Sequence, residues 1–255
     1  MEVEIVSLTR RGNREYNEDV LGQWNDGRFV ACLVADGAGG HGGGDVAAAI
    51  ARSSVLSGFA ASPGLGDGCL RHLLEQANLD VVTRQAEGGH LAAMRSTIVV
   101  AALDMHRNEF AWAHAGDSRA YLFRGGALAA RTIDHSLVQQ MVSSGLIDEE
   151  AARLHPQRNV LLSALGSLAE PLEIAVSDPA PLREGDVLLL CSDGVWEPLG
   201  DACLLQTLQA SRNAGQWIEQ IDAQVRAHAK PGYDNYTAMV LWVHPEDGEV
   251  TQLRR

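Results

Sequence analysis

The stretch from Val30 to Ala49, VACLVADGAGGHGGGDVAAA, constrains this chain more than any other. Val30 to Ala35 has the length and composition of a buried strand, and it runs straight into Asp36-Gly37 and a glycine-rich turn that opens a helix. A carboxylate is therefore held at the mouth of a rigid strand. Burying an ionised carboxylate is costly unless it is paired or bound to metal, so Asp36 asks for a cation or a helix N-terminus.

Three readings of the stretch compete. Gly37, Gly39 and Gly42 satisfy GxGxxG between strand and helix, as a dinucleotide site requires, but the acidic residue expected about 20 positions on is missing from Leu56 to Leu65. His41 to Gly44 spells HGGG, as in the oxyanion loop of lipases, and Gly116-Asp117-Ser118-Arg119-Ala120 nearly supplies the matching nucleophile elbow. An elbow turns from strand into helix, whereas Ala120-Tyr121-Leu122-Phe123 reads as strand. The third reading, a metal-binding Asp, can be tested along the whole chain.

At 255 residues the chain can bury a full core, and one domain over 1–255 is the expectation. Lys and Arg number 20 against 33 Asp and Glu, and the net charge of −13 argues against nucleic acid or an anionic membrane as the main partner, and against a nuclease. No apolar signal core opens MEVEIVSLTRRGNREYNED and no apolar run reaches about 18 residues, so a soluble, cytoplasmic protein is expected. Cys32, Cys69, Cys191 and Cys203 form no CxxC pair and read as reduced thiols, with Cys32 and Cys191 inside apolar strands.

Taken in order, Val3 to Leu8 and Val20 to Trp24 read as strands around a charged turn, Arg11 to Asp19, whose simplest reading is a solvated loop. Val46, Ala49, Ile50 and Ser53 share one helical face, and Leu70, Leu73, Leu74, Ala77 and Val81 repeat at the same period. Ser96 to Leu103, Glu109 to Ala115, Arg119 to Phe123 and Ala127 to Thr132 follow as strands joined by short turns, which predicts antiparallel hairpins. Helices over Leu137 to Ser144 and around Glu149 to Leu154 accompany a segment poor in strand pattern, Ser144 to Ala169, read as a connecting subdomain or flap. Asp186 to Cys191 is a second apolar strand, ending in Ser192-Asp193-Gly194, so the design of the first is repeated. Trp217, Ile218, Ile221 and Val225 mark a helix, and Asp234-Asn235 opens a last strand, Tyr236 to His244.

Asp36, Asp117, Asp193 and Asp234 thus sit at strand ends or turns beside small residues. Singly, each is an ordinary turn or cap residue. Jointly they make an all-oxygen set suited to hard ions such as magnesium or manganese, and a set built of Asp without Cys argues against zinc.

The wording of the motifs adds to this. RxxNED at Arg14 to Asp19, VADGAGGH at Val34 to His41, AGDSRAYLFRGG at Ala115 to Gly126 and DHSLVQQMVSSG at Asp134 to Gly145 are followed by HPQRNVLLSALG at His155 to Gly166, LLLCSDGVWE at Leu188 to Glu197 and DNYT at Asp234 to Thr237. In order and spacing they closely resemble the motifs of the bacterial metal-dependent PP2C-type (PPM) serine/threonine protein phosphatases. The resemblance covers nearly the whole chain. It implies an α+β fold, a four-layer αββα sandwich with two central antiparallel sheets flanked by helices. It also implies hydrolysis of phosphoserine and phosphothreonine in proteins, with two Mn2+ or Mg2+ ions and a third in bacterial members.

The resemblance also implies roles. Asp36 bridges the two ions, the Gly37 carbonyl helps hold one, and Asp193 and Asp234 hold the other. Asp19 supports the site through water or from behind the ligands, Glu18 with it, and Asp117 serves the third ion. A water shared by two ions gives up its proton near neutral pH and attacks phosphorus in line, without a phosphoenzyme. Arg14 matches the arginine that clamps the phosphate, for which a guanidinium offers two parallel donors. His41 is either the general acid for the leaving oxygen or a structural part of the glycine turn, since Ala38, Gly39 and Gly40 separate it from Asp36-Gly37. Ser118 and Arg119 read as braces for Asp117. Ala38, Arg95-Ser96-Thr97 and Val195 to Pro198 depart from the family's usual wording, and none of them removes a ligand. The implied partners are phosphorylated proteins and a cognate serine/threonine kinase pathway, with the enzyme a monomer. The rival from another class is a catalytically idle phosphoprotein-binding module on the same fold.

Overall fold

The computed structural model describes residues 1–38, 43–167 and 172–245. Three strands come first, β1 (Glu2–Arg10), β2 (Asp19–Asn25) and β3 (Phe29–Ala38), then two helices, α1 (Gly44–Ala61) and α2 (Asp67–Gln85). The strand-rich middle holds β4 (Arg95–Ser96), β5 (Ile98–Asp104), β6 (Glu109–Ala115), β7 (Arg119–Arg124) and β8 (Ala127–Arg131). Helices α3 (Leu137–Ser143) and α4 (Glu149–Leu154) precede the short strands β9 (Ala175–Val176) and β10 (Ala180–Pro181). The chain then runs through β11 (Val187–Cys191), α5 (Asp193–Gln209), α6 (Ala214–His228) and β12 (Tyr236–His244).

These strands form two antiparallel sheets, one ordered β1-β12-β11-β7-β8 and the other β10-β6-β5-β3-β2, with β4 on β3 and β9 on β6. Unbroken apolar runs follow from this packing, because a central strand here is covered on both faces. Along β3, Ala31, Leu33 and Ala35 point to α1 and α2, while Val30, Cys32 and Val34 point to the opposite sheet. In β11, Leu188 and Leu190 point into the same inter-sheet core, and Val187, Leu189 and Cys191 face α5 and α6. Three apolar layers therefore hold four layers of structure together, the αββα sandwich. Cutting fully buried Leu33 or Leu189 back to Ala removes about 2–5 kcal/mol from such a core.

One expectation needs correction. The run of strands from Ser96 to Thr132 is not a continuous set of hairpins: β5 with β6 and β7 with β8 are hairpins, but β6 and β7 lie in different sheets. Gly116-Asp117-Ser118 is thus a crossing between sheets. Short turns fix how far apart two strand ends lie and not which sheet each joins, since that choice is made by distant partners. Val195 to Pro198, for which the sequence pattern gave no element, belongs to α5, a helix that starts at Asp193 and is broken at Gly200 (φ 65, ψ 167). Pro198 and that glycine interrupt the helical pattern that would have announced it.

The segment Ser144 to Ala169 carries α4 and returns to the sandwich through the bridges Ser136 to Leu161 and Ser96 to Leu165. The four cysteines are free thiols, with Cys32 and Cys191 buried. Among the described residues no helix is long and apolar enough to cross a membrane.

Candidate metal centre and active site

Asp19 and Asp36 are direct partners across the β2–β3 ladder, so two carboxylates meet at one end of the second sheet. Thr97, between β4 and β5, fixes Asp36 from the other side: its N–H donates to the Asp36 carbonyl (2.8 Å) and its Oγ1 accepts from the Asp36 N–H (3.3 Å). Gly37 follows, with its N–H on the Glu18 carbonyl (3.2 Å). A Cβ on Gly37 would lie 2.1 Å from the Gly44 carbonyl oxygen, so only glycine lets β3 pass this close to the start of α1.

Asp193 comes from the first sheet. β11 ends at Cys191, and Ser192 is the cap from which α5 starts. The Ser192 hydroxyl donates to Asp19 Oδ2 (2.7 Å) and accepts the Thr237 N–H (3.0 Å), tying the cap to β2 and to β12. Gly194 allows an equally close approach, since a Cβ there would fall 2.0 Å from the Asn235 carbonyl oxygen. Asp234 is thereby brought beside Asp193.

The charged turn Arg11 to Asp19 is held by Asn235, whose Nδ2 donates to the Arg11 and Tyr16 carbonyls (2.7 and 2.9 Å) and whose Oδ1 accepts the Glu18 N–H (2.9 Å). The turn is thus pinned to the centre by its backbone, while Arg11 and Asn13 to Tyr16 stay exposed to solvent as a solvated loop would. From it Arg14 reaches Asp234, with Nη2 to Oδ2 at 2.5 Å. Asp117 enters on the crossing between the sheets, its backbone carbonyl accepting from the Trp196 indole (2.9 Å).

The electrostatics follow from this crowding. Burial, reinforced by the charges of Asp19, Asp193, Asp117 and Asp234, holds the Asp36 carboxyl well above the usual carboxylate range. Asp193 is raised in the same way, by burial first and then by Asp117, Asp234 and Asp19. Asp19 is pushed up to about 6 and Asp117 up to about 7, both chiefly by burial. Asp36 and Asp193 are hemmed in by protein yet open to solvent on one side, which leaves a path for a small ion. Glu18 stands at the edge, raised by burial and by Asp45.

Two oxygens in the cluster, Asp19 Oδ1 and Asp193 Oδ1, are buried with no hydrogen-bond partner. Native structures leave few such groups, and each one calls for an explanation. Among the described residues no three acidic, imidazole or thiol side chains close around one point as a finished cage. The fit to a hard cation rests on the orphaned oxygens and on the all-oxygen donor set of the surrounding aspartates.

A family model described as protein phosphatase 2C matches residues 9–234. The chain belongs to the protein phosphatase 2C family. Its relatives include serine/threonine phosphatase Stp of Listeria innocua, 32% identical over 241 residues that cover 91% of this chain and 93% of Stp. PstP of Mycobacterium tuberculosis is 33% identical over 242 residues, 94% of this chain and 44% of PstP, so this chain spans less than half of that relative. Among solved structures, the S. agalactiae serine/threonine phosphatase superposes with a TM-score of 0.82 at 27% identity, covering 95% of this chain and 100% of that one. The catalytic domain of PstP in complex with two manganese ions gives 0.79 at 28% identity, with 95% and 99% covered. The activity of this protein phosphatase 2C is that of its relatives, a protein-serine/threonine phosphatase.

In this protein phosphatase 2C, Asp19, Asp36, Asp117, Asp193 and Asp234 act on one another electrostatically, although 215 positions separate the first from the last. Arg14, expected at the phosphate, is paired with one of them. Ser118 and Arg119 hydrogen-bond elsewhere, the Ser118 hydroxyl with Thr97 Oγ1 (2.7 Å) and Arg119 with Asp134 through two bonds of 2.8 and 2.7 Å, while the Arg119 charge acts on the Asp117 carboxyl and lowers it. His41 lies outside the described residues. Sequence reasoning missed the structural parts played by Thr97, Ser192, Trp196 and Asn235. The one local signal for Asn235 was its place beside Asp234 in the DNYT motif.

Proposed function

We propose that this phosphatase hydrolyses phosphoserine and phosphothreonine by direct attack of water, at a centre of two Mn2+ or Mg2+ ions held by Asp36, the Gly37 carbonyl, Asp193 and Asp234. Asp19 and Glu18 support that centre, and Asp117 serves a third ion. The observation that carries the reading is the pair of orphaned, buried carboxylate oxygens on Asp19 and Asp193 inside a cluster of five aspartates. Bound there, the cations supply a water that ionises near neutral pH and positive charge against the phosphate oxygens.

The chain's own groups do the rest. Arg14 spends one N–H on Asp234, which aims its fork, and its remaining donors take phosphate oxygens. The Ser192 hydroxyl donates a hydrogen bond to Asp19 and accepts one from the Thr237 N–H, and the Ser118 hydroxyl is bonded to Thr97, so neither hydroxyl is free to form a phosphoenzyme. His41 is the proposed general acid, on sequence alone. We further infer a single-domain monomer over 1–255, acting in the cytoplasm opposite a serine/threonine kinase; the net charge of −13 supports a partner other than nucleic acid.

Release of phosphate from an aryl phosphate and from a phosphothreonine peptide tests this, with Mn2+ and with chelator. Metal-dependent turnover of both is expected, with Arg14→Ala raising KM more than it lowers kcat. Metal-independent turnover, or none, contradicts the reading.

A further inference from the structure

The crossing Gly116-Asp117-Ser118 belongs to neither sheet's ladder, so its position depends on ties of its own. Gly116 has φ +105, and a Cβ on it would strike Thr97 at 2.7 Å. The imidazole of His135 accepts the Gly116 N–H at Nδ1 (3.3 Å), and the His135 N–H donates to the Gly116 carbonyl (3.0 Å). Ser118 is fixed by its hydroxyl bond to Thr97 Oγ1 (2.7 Å). These ties place the flanks of Asp117 relative to the two sheets. None of them places Asp117 relative to α5, which carries Asp193.

That link is made by Trp196. It stands three residues after Asp193 on α5, so the two side chains share a helical face, and its Nε1–H donates to the carbonyl of Asp117 itself (2.9 Å). The ring is locked from behind, because the Arg119 guanidinium lies 3.5 Å from the ring centroid. Arg119 is held in turn by Asp134 and by the Tyr121 hydroxyl (3.0 Å), which donates to Asp201 (3.2 Å). A buried arginine with all of these partners does not swing, so the indole above it is a rigid spacer. It is also part of the wall of the cavity that Asp117 and Asp193 border under α3 and α4.

We propose that Trp196 is a positioning residue: its indole N–H sets Asp117 against Asp193 and thereby the cation affinity of that side of the centre. The proposal rests on the metal-centre reading given above. Nothing in it requires Trp196 to touch substrate or ion.

Trp196→Phe keeps a ring over Arg119 and deletes only the donor. In the full chain, the Mg2+ concentration for half-maximal turnover of an aryl phosphate should rise about tenfold, while KM at saturating Mg2+ stays within about twofold. Asp117→Asn should raise the Mg2+ requirement by itself, and adding Trp196→Phe to it should have no further effect, because both act through one ligand. A readout apart from turnover is tryptophan emission: the wild type minus Trp196→Phe difference reports this indole, and it should change as Mg2+ is added. An unchanged Mg2+ requirement in Trp196→Phe, multiplying effects in the double variant, or a flat difference emission overturns the proposal while wild-type turnover still depends on Mg2+. Wild-type turnover and emission both indifferent to Mg2+ and Mn2+ would overturn the metal centre itself, and the proposal with it.

Discussion

Asp104, Asp134 and Asp186 are buried, as Asp19 and Asp117 of the centre are, and each has its own arginine. Asp186 takes Arg124 through two bonds of 2.7 and 2.6 Å and the Arg183 N–H at 2.8 Å. Asp104 takes Arg28 at 3.3 and 2.9 Å and the N–H groups of His106 and Arg107, and the arginine's hydrogen bonds hold its carboxyl below the ordinary carboxylate range. In the centre the logic is reversed: among the described residues Arg14, itself largely exposed, pairs with Asp234, Arg119 acts on Asp117 only through its charge, and two buried oxygens have no partner. The same chain therefore satisfies a buried carboxylate where it serves the fold and leaves it unsatisfied where a cation is to be held. A group that burial has made expensive is a group whose affinity for a cation has been raised.

The sharpest way to break this contrast is to neutralise one aspartate of each kind. Asp193→Asn should cost a thousandfold or more in kcat, a loss on the order of 4 kcal/mol in transition-state stabilisation. Asp186→Asn should leave kcat and KM near the wild-type values. Stability should move the opposite way, with chelator-treated Asp193→Asn melting above wild type and Asp186→Asn melting below it, by about 1–3 kcal/mol in each case. Comparable losses of turnover in both variants, or a lower melting point for chelated Asp193→Asn, would erase the distinction.

A smaller effect sharpens the comparison through pH. Asp19 has an ordinary value of 3.8 and stands at about 6 in the folded protein, so the folded state holds a proton that the unfolded chain has lost between those values. Its contribution to stability is therefore lost as pH rises from about 4 to about 6. His114 works against it in the same window: burial pushes its imidazole down to about 4, and that contribution is gained as pH rises. The test is a difference. Urea melts of the chelated protein should fall with pH less steeply in Asp19→Asn than in wild type, by at most about 1.4 kcal/mol per pH unit. Parallel curves would mean that Asp19 carries no extra proton when folded.

Much of the fold is written in short-range patterns. The apolar runs Val30 to Ala35 and Asp186 to Cys191 gave β3 and β11, because central strands of this sandwich have no polar face. Asp36 and Asp193 were legible for the same reason, as carboxylates at the ends of such runs. The path of Asp117 was not, since a three-residue turn reads alike within a sheet or between two. Asn235 and Ser192 were invisible in their roles because the bonds that tie them to the segment Arg11 to Asp19 reach across 173 to 224 positions to partners that only the finished fold brings near. The pairing of Arg14 with Asp234 was missed because each had been assigned a different ligand.

The account stands on the claim that the orphaned carboxylates form a cation site. Thermal unfolding of chelator-treated protein against added Mn2+ measures this directly, because an ion that binds only the folded chain raises the midpoint with its concentration. The wild type should gain several degrees on reaching about a hundred times the dissociation constant, and Asp193→Asn should gain little. A wild-type midpoint that stays fixed through millimolar Mn2+ and Mg2+ alike would contradict it.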